Sequence, residues 1–518
     1  MGGFLLNRRH VVAGLAVTAV ASRALAAVPA RVLGDPEPFS FDALVAEARR
    51  LASEPHRTPS TADPAILDRL DYDAVWKIAF RNDASLTVGG LPLQFFHVGK
   101  FAREGVRMHI LEGGASRVVH YSRDFFTMPD DSPARELTGD PGFAGFRIMR
   151  PDMKPDWISF LGASYFRCDG PEMQYGLSAR GLAVNTGLAT PEEFPRFSDF
   201  WIGDAERPDE EAVVYALLQS ASVTGAYRFG VGRGDLEGDA GEPQHQNVEC
   251  RLFFRNAVER VGIAPLTSMF WYSETNRPIG DDWRPEIHDS DGLSLHLSSG
   301  ERLWRPLRNP RAVSATSFFD GNVRGFGLIQ RDRAFENYQD DGVFYNRRPS
   351  VWVVPQGDWG DGAVQLVEIP TGDETFDNIV AYWTPATQPV AGTEFSFDYR
   401  LEWRERDPLP SVAHTVNTFR GQGGIPGQPI PPGLQKYVID FAGGPLDGVP
   451  KEEGALEVSI DARPGRVIRP AIRPVVGTDR WRVSFDLEGA TAAPVELRVY
   501  AHRGGEPVTE TWTLLAEG

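Results

Sequence analysis

Between residues 41 and 51, Phe41, Leu44, Val45, Ala48 and Leu51 recur at the spacing of one helical face, and Ser40 stands where a capping side chain is needed. This predicts a single amphipathic helix, with a second short one over 64–71. The rest of the chain has the period of strands. Apolar runs at 213–218 and 223–229, separated by a short turn, predict a hairpin. Runs at 351–354 and 364–369 around Gly357-Asp358-Trp359-Gly360 predict another. From residue 395 the alternation is strict: Phe395, Phe397, Tyr399, Leu401 and Trp403, then Leu456, Val458 and Ile460, then Trp481, Val483, Phe485 and Leu487, then Val495, Leu497 and Val499. Many short period-two strands divided by turn signals make the sandwich pattern, so the expected class is all-β. The Gly- and Pro-rich stretch 421–433 reads as a long loop. The strand at 395–403 is expected to pair with the strands C-terminal to it. A boundary near residue 390 then divides a larger domain, 37–390, from a second, 391–518.

Composition sharpens this picture. The 518 residues include 53 glycines and 40 prolines, an excess that favours turns over a helical bundle. The net charge of −18 is a poor match to nucleic acid or anionic lipid and is compatible with a neutral substrate such as a sugar. Asn7-Arg8-Arg9-His10, an apolar run over 11–21 and Ala24-Leu25-Ala26 have the order of an export signal, and the paired arginines suit the twin-arginine route. Residues 1–26 are therefore expected to be cleaved. The apolar run is about half of the roughly 20 residues that span a bilayer, so no stable membrane insertion is expected and the destination is the periplasm. The two cysteines, Cys168 and Cys250, read as lone buried thiols. No Cys/His spacing resembles a zinc site, and no metal or cofactor is implied.

Three stretches carry candidate chemistry. His288-Asp289-Ser290-Asp291-Gly292 could open a calcium loop, but Leu293 and Gly300 stand where such a loop needs oxygen ligands. A turn capped by Asp and a carboxylate in a cleft both remain open. His288 and His296 fit a core or surface position better than a metal site. Thr371 to Asn378 places Asp373, Glu374 and Asp377 after a strand, as either a solvated acidic turn or part of a site. Tyr338-Gln339-Asp340-Asp341, Tyr345, Arg347-Arg348 and Trp352 interleave acids, rings and arginines, which suits carbohydrate recognition but also an ordinary β-rich surface with loop aromatics. The run from Gly230 to Gly234 lacks the Lys-Ser/Thr of a phosphate loop, and no G-x-S-x-G elbow is present. Paired carboxylates would suit glycoside chemistry, which needs an acid at the leaving oxygen and a base at the nucleophile.

Longer blocks resemble one family. Ser159-Phe160-Leu161-Gly162-Ala163-Ser164-Tyr165-Phe166-Arg167, Tyr175-Gly176-Leu177-Ser178-Ala179-Arg180-Gly181 and Arg284-Pro285-Glu286-Ile287-His288-Asp289-Ser290-Asp291-Gly292-Leu293 are three of them. Phe335-Glu336-Asn337-Tyr338-Gln339-Asp340, Arg348-Pro349-Ser350-Val351-Trp352, Pro355-Gln356-Gly357-Asp358-Trp359-Gly360 and Asp377-Asn378-Ile379-Val380-Ala381 continue in order. The mature chain thereby resembles the periplasmic glucan biosynthesis family of OpgG and OpgD, with the paired arginines favouring the OpgD branch. The resemblance implies a large N-terminal β-sandwich, galactose mutarotase-like, and a smaller C-terminal immunoglobulin-like one. It also implies action on β-1,2-glucan with inversion at the anomeric carbon. Asp377 matches the family's general acid, and Asp289 its general base, which works through a relay of waters. Glu374, Asp340, Tyr345, Arg348 and Trp359 match substrate-binding positions. Transglycosylation that cyclises or branches the glucan, and a non-catalytic scaffold for backbone synthesis, remain alternatives, and a homodimer stays open.

Overall fold

A computed structural model describes residues 32–517, apart from 60, 62, 236–240, 278–279, 409–411 and 491–492. The expected export signal lies outside the described residues. The protein is all-β, with 46% of the described residues in strands and 10% in helices. Among the described residues no helix is long and apolar enough to cross a membrane.

Two large sheets of 16 and 11 strands face each other. Their inner faces meet through aromatic side chains. Phe146 on strand Gly145–Met149 lies edge-on to Phe200 of strand Arg196–Asp204 at 5.1 Å, and Phe160 meets Phe229 at 5.2 Å. Each such pair is worth about 0.5–1.5 kcal/mol beyond the area it buries. The predicted hairpin over 213–229 is present as Ala212–Gln219 and Val223–Gly232, paired antiparallel. The predicted helix forms over Phe41–Ala52, and the Ser40 side chain accepts from the Ala43 amide at 3.2 Å. Its Leu44 and Ala48 cover Val213, Tyr215 and Phe253 on the outside of the larger sheet. The second helix is Pro64–Arg69. Cys168 and Cys250 are buried free thiols.

Three expectations are corrected. The strand Glu394–Arg404 alternates as predicted, but it pairs with Gln244–Phe254 on one side and Ser350–Gln356 on the other, deep inside the larger sheet. Its inward side chains Phe397, Tyr399, Leu401 and Trp403 belong to the first core, whereas the second core gathers Ala413 and later residues around Trp304, Ile329 and Trp352. Period-two alternation fixes which face a strand buries, but not which neighbour it takes. This pairing favours a domain boundary after Arg404 over one near 390.

The second correction concerns the expected hairpin across 351–369. Ser350–Gln356 lies in the larger sheet, whereas Gly362–Glu368 lies in the smaller one, between Ser314–Asp320 and Ile379–Pro385. The Gly357-Asp358-Trp359-Gly360 segment is a crossover between layers. Trp359 fills that corner against Trp383, Phe397 and Tyr399, and its Nε1 donates to the Asp398 carbonyl at 3.1 Å. The third correction concerns Trp359 itself. It is a core residue, with its ring buried and its one donor used, and cannot stack on a sugar.

The C-terminal strands build a second sandwich. His414–Gln422, Gln435–Ala442, Trp481–Glu488 and Arg466–Pro474 form one four-stranded sheet. Facing it are Thr511–Ala516, Val495–Arg503 and Glu457–Arg463, which continue the larger sheet of the first sandwich through parallel pairing of Leu303 with Thr511 and Trp304 with Trp512. Of the stretch 421–433, Gly421 and Gln422 end the strand His414–Gln422, and 423–433 form the loop that leads to Gln435–Ala442.

Candidate functional site

Two of the acidic stretches singled out in the sequence, those of Asp289 and Asp377, converge on one short segment, Met269-Phe270. The Asp289 amide donates to the Met269 carbonyl at 2.8 Å, and Ser290 Oγ meets Ser268 Oγ at 2.8 Å. One residue further on, the Asn378 side chain reads both backbone groups of Phe270. Its Oδ1 accepts from the Phe270 amide at 2.8 Å, and its Nδ2 donates to the Phe270 carbonyl at 2.9 Å and to that of Ile369 at 2.9 Å. Asp289 and Asp377, 88 residues apart in sequence, are thus carried by segments pinned to adjacent residues. The loop bearing Asp377 is further held by Asn309, which donates to the Thr371 carbonyl at 2.8 Å and accepts from its amide at 3.0 Å.

Arg348 joins the two acidic stretches. It leaves the short turn Tyr345–Arg347, its guanidinium lies 4.4 Å over the Tyr345 ring, and it pairs with Asp289 at 2.6 Å. Both partners are buried. Burial pushes the guanidinium below its ordinary value, while Tyr345 and the charges of Asp340, Glu374 and Asp377 oppose that shift. Gly176 allows this approach, because a Cβ there would fall 2.9 Å from the Arg348 Cβ.

A second arginine, Arg284, gathers the remaining acids. It donates to Asp340 at 2.6 Å, to Glu374 at 2.9 Å and to both oxygens of Asp282 at 3.0 and 2.9 Å. Tyr345 Oη donates to the same Glu374 oxygen at 2.7 Å, and Asp340 also accepts the amides of Gly342 and Val343. Burial would raise Asp340, but these donors outweigh it and hold the carboxyl below its usual range. Asp289, Asp340, Tyr345, Arg348 and Glu374 therefore form one connected group, with Asp377, half-buried, at its edge. Trp359 is not part of it.

Behind Asp289 lies His288, fully buried. Nδ1 faces Gln330 Oε1 at 3.1 Å, and Nε2 faces Glu286 at 3.1 Å and Asp291 at 3.5 Å. Both nitrogens thus meet acceptors, as an imidazolium requires. Burial alone would lower this histidine, but the Asp291 charge and the Glu286 hydrogen bond outweigh it and lift it to about 9. Nearby Glu274 is pushed up to about 8 by burial and by the Glu286 charge.

Both shifts have the same sign. Folded His288 keeps its proton to about 9, against an ordinary 6.5, and folded Glu274 to about 8, against 4.5. Between pH 6.5 and 9 the folded state binds more protons than the unfolded one, so stability falls as pH rises, by at most about 1.4 kcal/mol per pH unit per group. Urea unfolding at pH 6.5, 8 and 9 should show this decline, with a shallower slope below pH 8 in Glu274→Gln. A flat or rising profile would contradict the assignment.

Arg284, Gln330 and Asn378 do not stand out in the sequence as site residues. Arg284 and Asn378 lie inside the family-like blocks, yet nothing in their own spacing marks them. Their importance comes from carbonyls and carboxylates brought close by folding. Among the described residues no group of three or more His, Cys, Asp or Glu could hold a metal ion.

The family model described as "Periplasmic glucan biosynthesis protein, MdoG" matches residues 39–515. Glucans biosynthesis protein D 1 of Ralstonia nicotianae is 48% identical, covering 92% of this chain and 91% of its own length. Glucans biosynthesis protein D 2 of the same organism is 44% identical, covering 98% and 97%. Glucans biosynthesis protein D of Stenotrophomonas maltophilia is 44% identical, covering 93% and 90%. With a family model spanning both sandwiches and relatives alike over nearly their whole length, this chain belongs to the periplasmic glucan biosynthesis protein family.

Proposed function

We propose that this protein acts in the periplasm on β-1,2-glucan, cleaving the glucan backbone with inversion during glucan biosynthesis. Family membership supports the glucan and the compartment. The observation that carries the chemistry is the fastening of the Asp289 and Asp377 segments to adjacent residues, Met269 and Phe270. Asp377, half-buried at the edge of the group, donates a proton to the glycosidic oxygen as positive charge develops on the sugar ring. Asp289 withdraws a proton from the attacking water on the opposite face. The family resemblance implies that Asp289 reaches that water through a relay of waters, and its full burial against Arg348 is compatible with that route.

The reading is tested by incubating the mature protein with linear β-1,2-glucan and weighing the products. Hydrolysis gives shorter chains, each cleavage adding one water and one reducing end. Products lacking that water would instead mean cyclising transglycosylation. A glucan of unchanged length would mean a binding scaffold and would remove the carboxylates from catalysis.

A further inference from the structure

The two sandwiches meet at Arg331, whose side chain is 10% exposed and makes no ion pair with Asp289, Asp340, Glu374 or Asp377 among the described residues. Its guanidinium is gripped by the chain leading into the second sandwich and by that sandwich itself. It donates to Asp407 at 3.3 and 2.7 Å, to Glu510 at 2.7 and 3.0 Å and to the Thr415 carbonyl at 3.1 Å. The fork also lies 3.5 Å over the Trp304 ring. Glu510 accepts the Thr415 amide at 2.7 Å, so one carboxylate fixes both the arginine and the first strand of the four-stranded sheet.

The preceding residue faces the other way. The Gln330 side chain donates to the carbonyls of His288 and Tyr345 at 3.1 Å each, and to Tyr338 Oη at 2.9 Å. His288 immediately precedes Asp289, and Tyr345 supports Arg348, which pairs with Asp289. The Arg331 amide itself donates to Asp291, two residues beyond Asp289. Two consecutive residues therefore tie the second sandwich to both supports of the candidate base.

We propose that Arg331 is a positioning residue through which Glu510 and Asp407 hold the Asp289–Arg348 pair in register, making the second sandwich a working part of the glucan-cleaving unit. This rests on reading Asp289 as the base. A shift of about 1 Å in a reacting group can cost on the order of 100-fold in rate, so a clamp of this kind should appear in turnover.

Arg331→Lys keeps the charge but loses the planar fork, and Glu510→Gln keeps the shape but loses the charge. In the full-length mature protein, each is expected to lower kcat on β-1,2-glucan by roughly 10- to 100-fold, with KM little changed. The limb of the pH–rate profile belonging to the base should also move, which a merely structural contact would not cause. If one variant does not fold, the other carries the test. Wild-type kcat and pH profile in a folded variant would overturn the proposal. Asp289→Asn, measured alongside, separates the two readings. If it retains turnover, the base assignment fails. If it is inactive while Arg331→Lys and Glu510→Gln work normally, only the positioning role fails.

Discussion

Asp377→Asn is expected to lower kcat on linear β-1,2-glucan by about 10²- to 10⁴-fold, with little change in KM. The substitution keeps the size of the side chain and removes its transferable proton. The loop that carries it should stay in place, because its anchors are the neighbouring Asn378 and the Asn309–Thr371 pair. Substrate contacts assigned to Glu374, Asp340 and Arg348 are untouched, so binding by calorimetry should persist while turnover is lost. Normal turnover in this variant would remove Asp377 from the mechanism. Loss of binding together with turnover would mean that Asp377 recognises the glucan rather than protonating it.

Arg284→Met is expected to have the largest effect on stability. Asp282, Asp340 and Glu374 all pair with this guanidinium, and the side chains of Arg284, Asp340 and Glu374 are no more than 8% exposed. Removing one partner of a buried pair leaves charge uncompensated and typically costs about 3–5 kcal/mol. Here one cation serves three acids, and the Asp340 amide bonds and the Tyr345 hydroxyl offset only part of its loss. Urea unfolding should report a loss of that order, accompanied by weakened glucan binding. Arg284→Lys should fall between, since an ammonium keeps the charge but cannot reproduce the fork. Stability within about 0.5 kcal/mol of wild type for Arg284→Met, the ordinary range for a surface change, would contradict the network.

Much of the architecture was legible because it depends on local periodicity. The face of helix Phe41–Ala52, its Ser40 cap and the hairpin of Ala212–Gln219 with Val223–Gly232 are written in residues close in sequence. Sheet membership was not. Glu394–Arg404 shows the alternation of any half-buried strand, and only tertiary packing inserts it between Gln244–Phe254 and Ser350–Gln356. The same limit hid the crossover at Trp359, because a Gly-rich corner between layers has the composition of a hairpin turn. The acidic stretches stood out as carboxylates crowded near rings and arginines. What sequence could not supply was the partner of each: that Arg284 answers Asp340 and Glu374, that Arg348 answers Asp289, and that Asn378 reads the backbone of Phe270.

The central claim is cleavage of β-1,2-glucan by an acid and a base on opposite faces of the bond. The anomeric form of the first product tests it most directly, followed by NMR in the opening minutes of the reaction, before mutarotation mixes the anomers. The account predicts that the new reducing ends appear as the α-anomer and relax toward equilibrium afterwards. New ends appearing first as the β-anomer would require a covalent intermediate and contradict the roles given to Asp377 and Asp289.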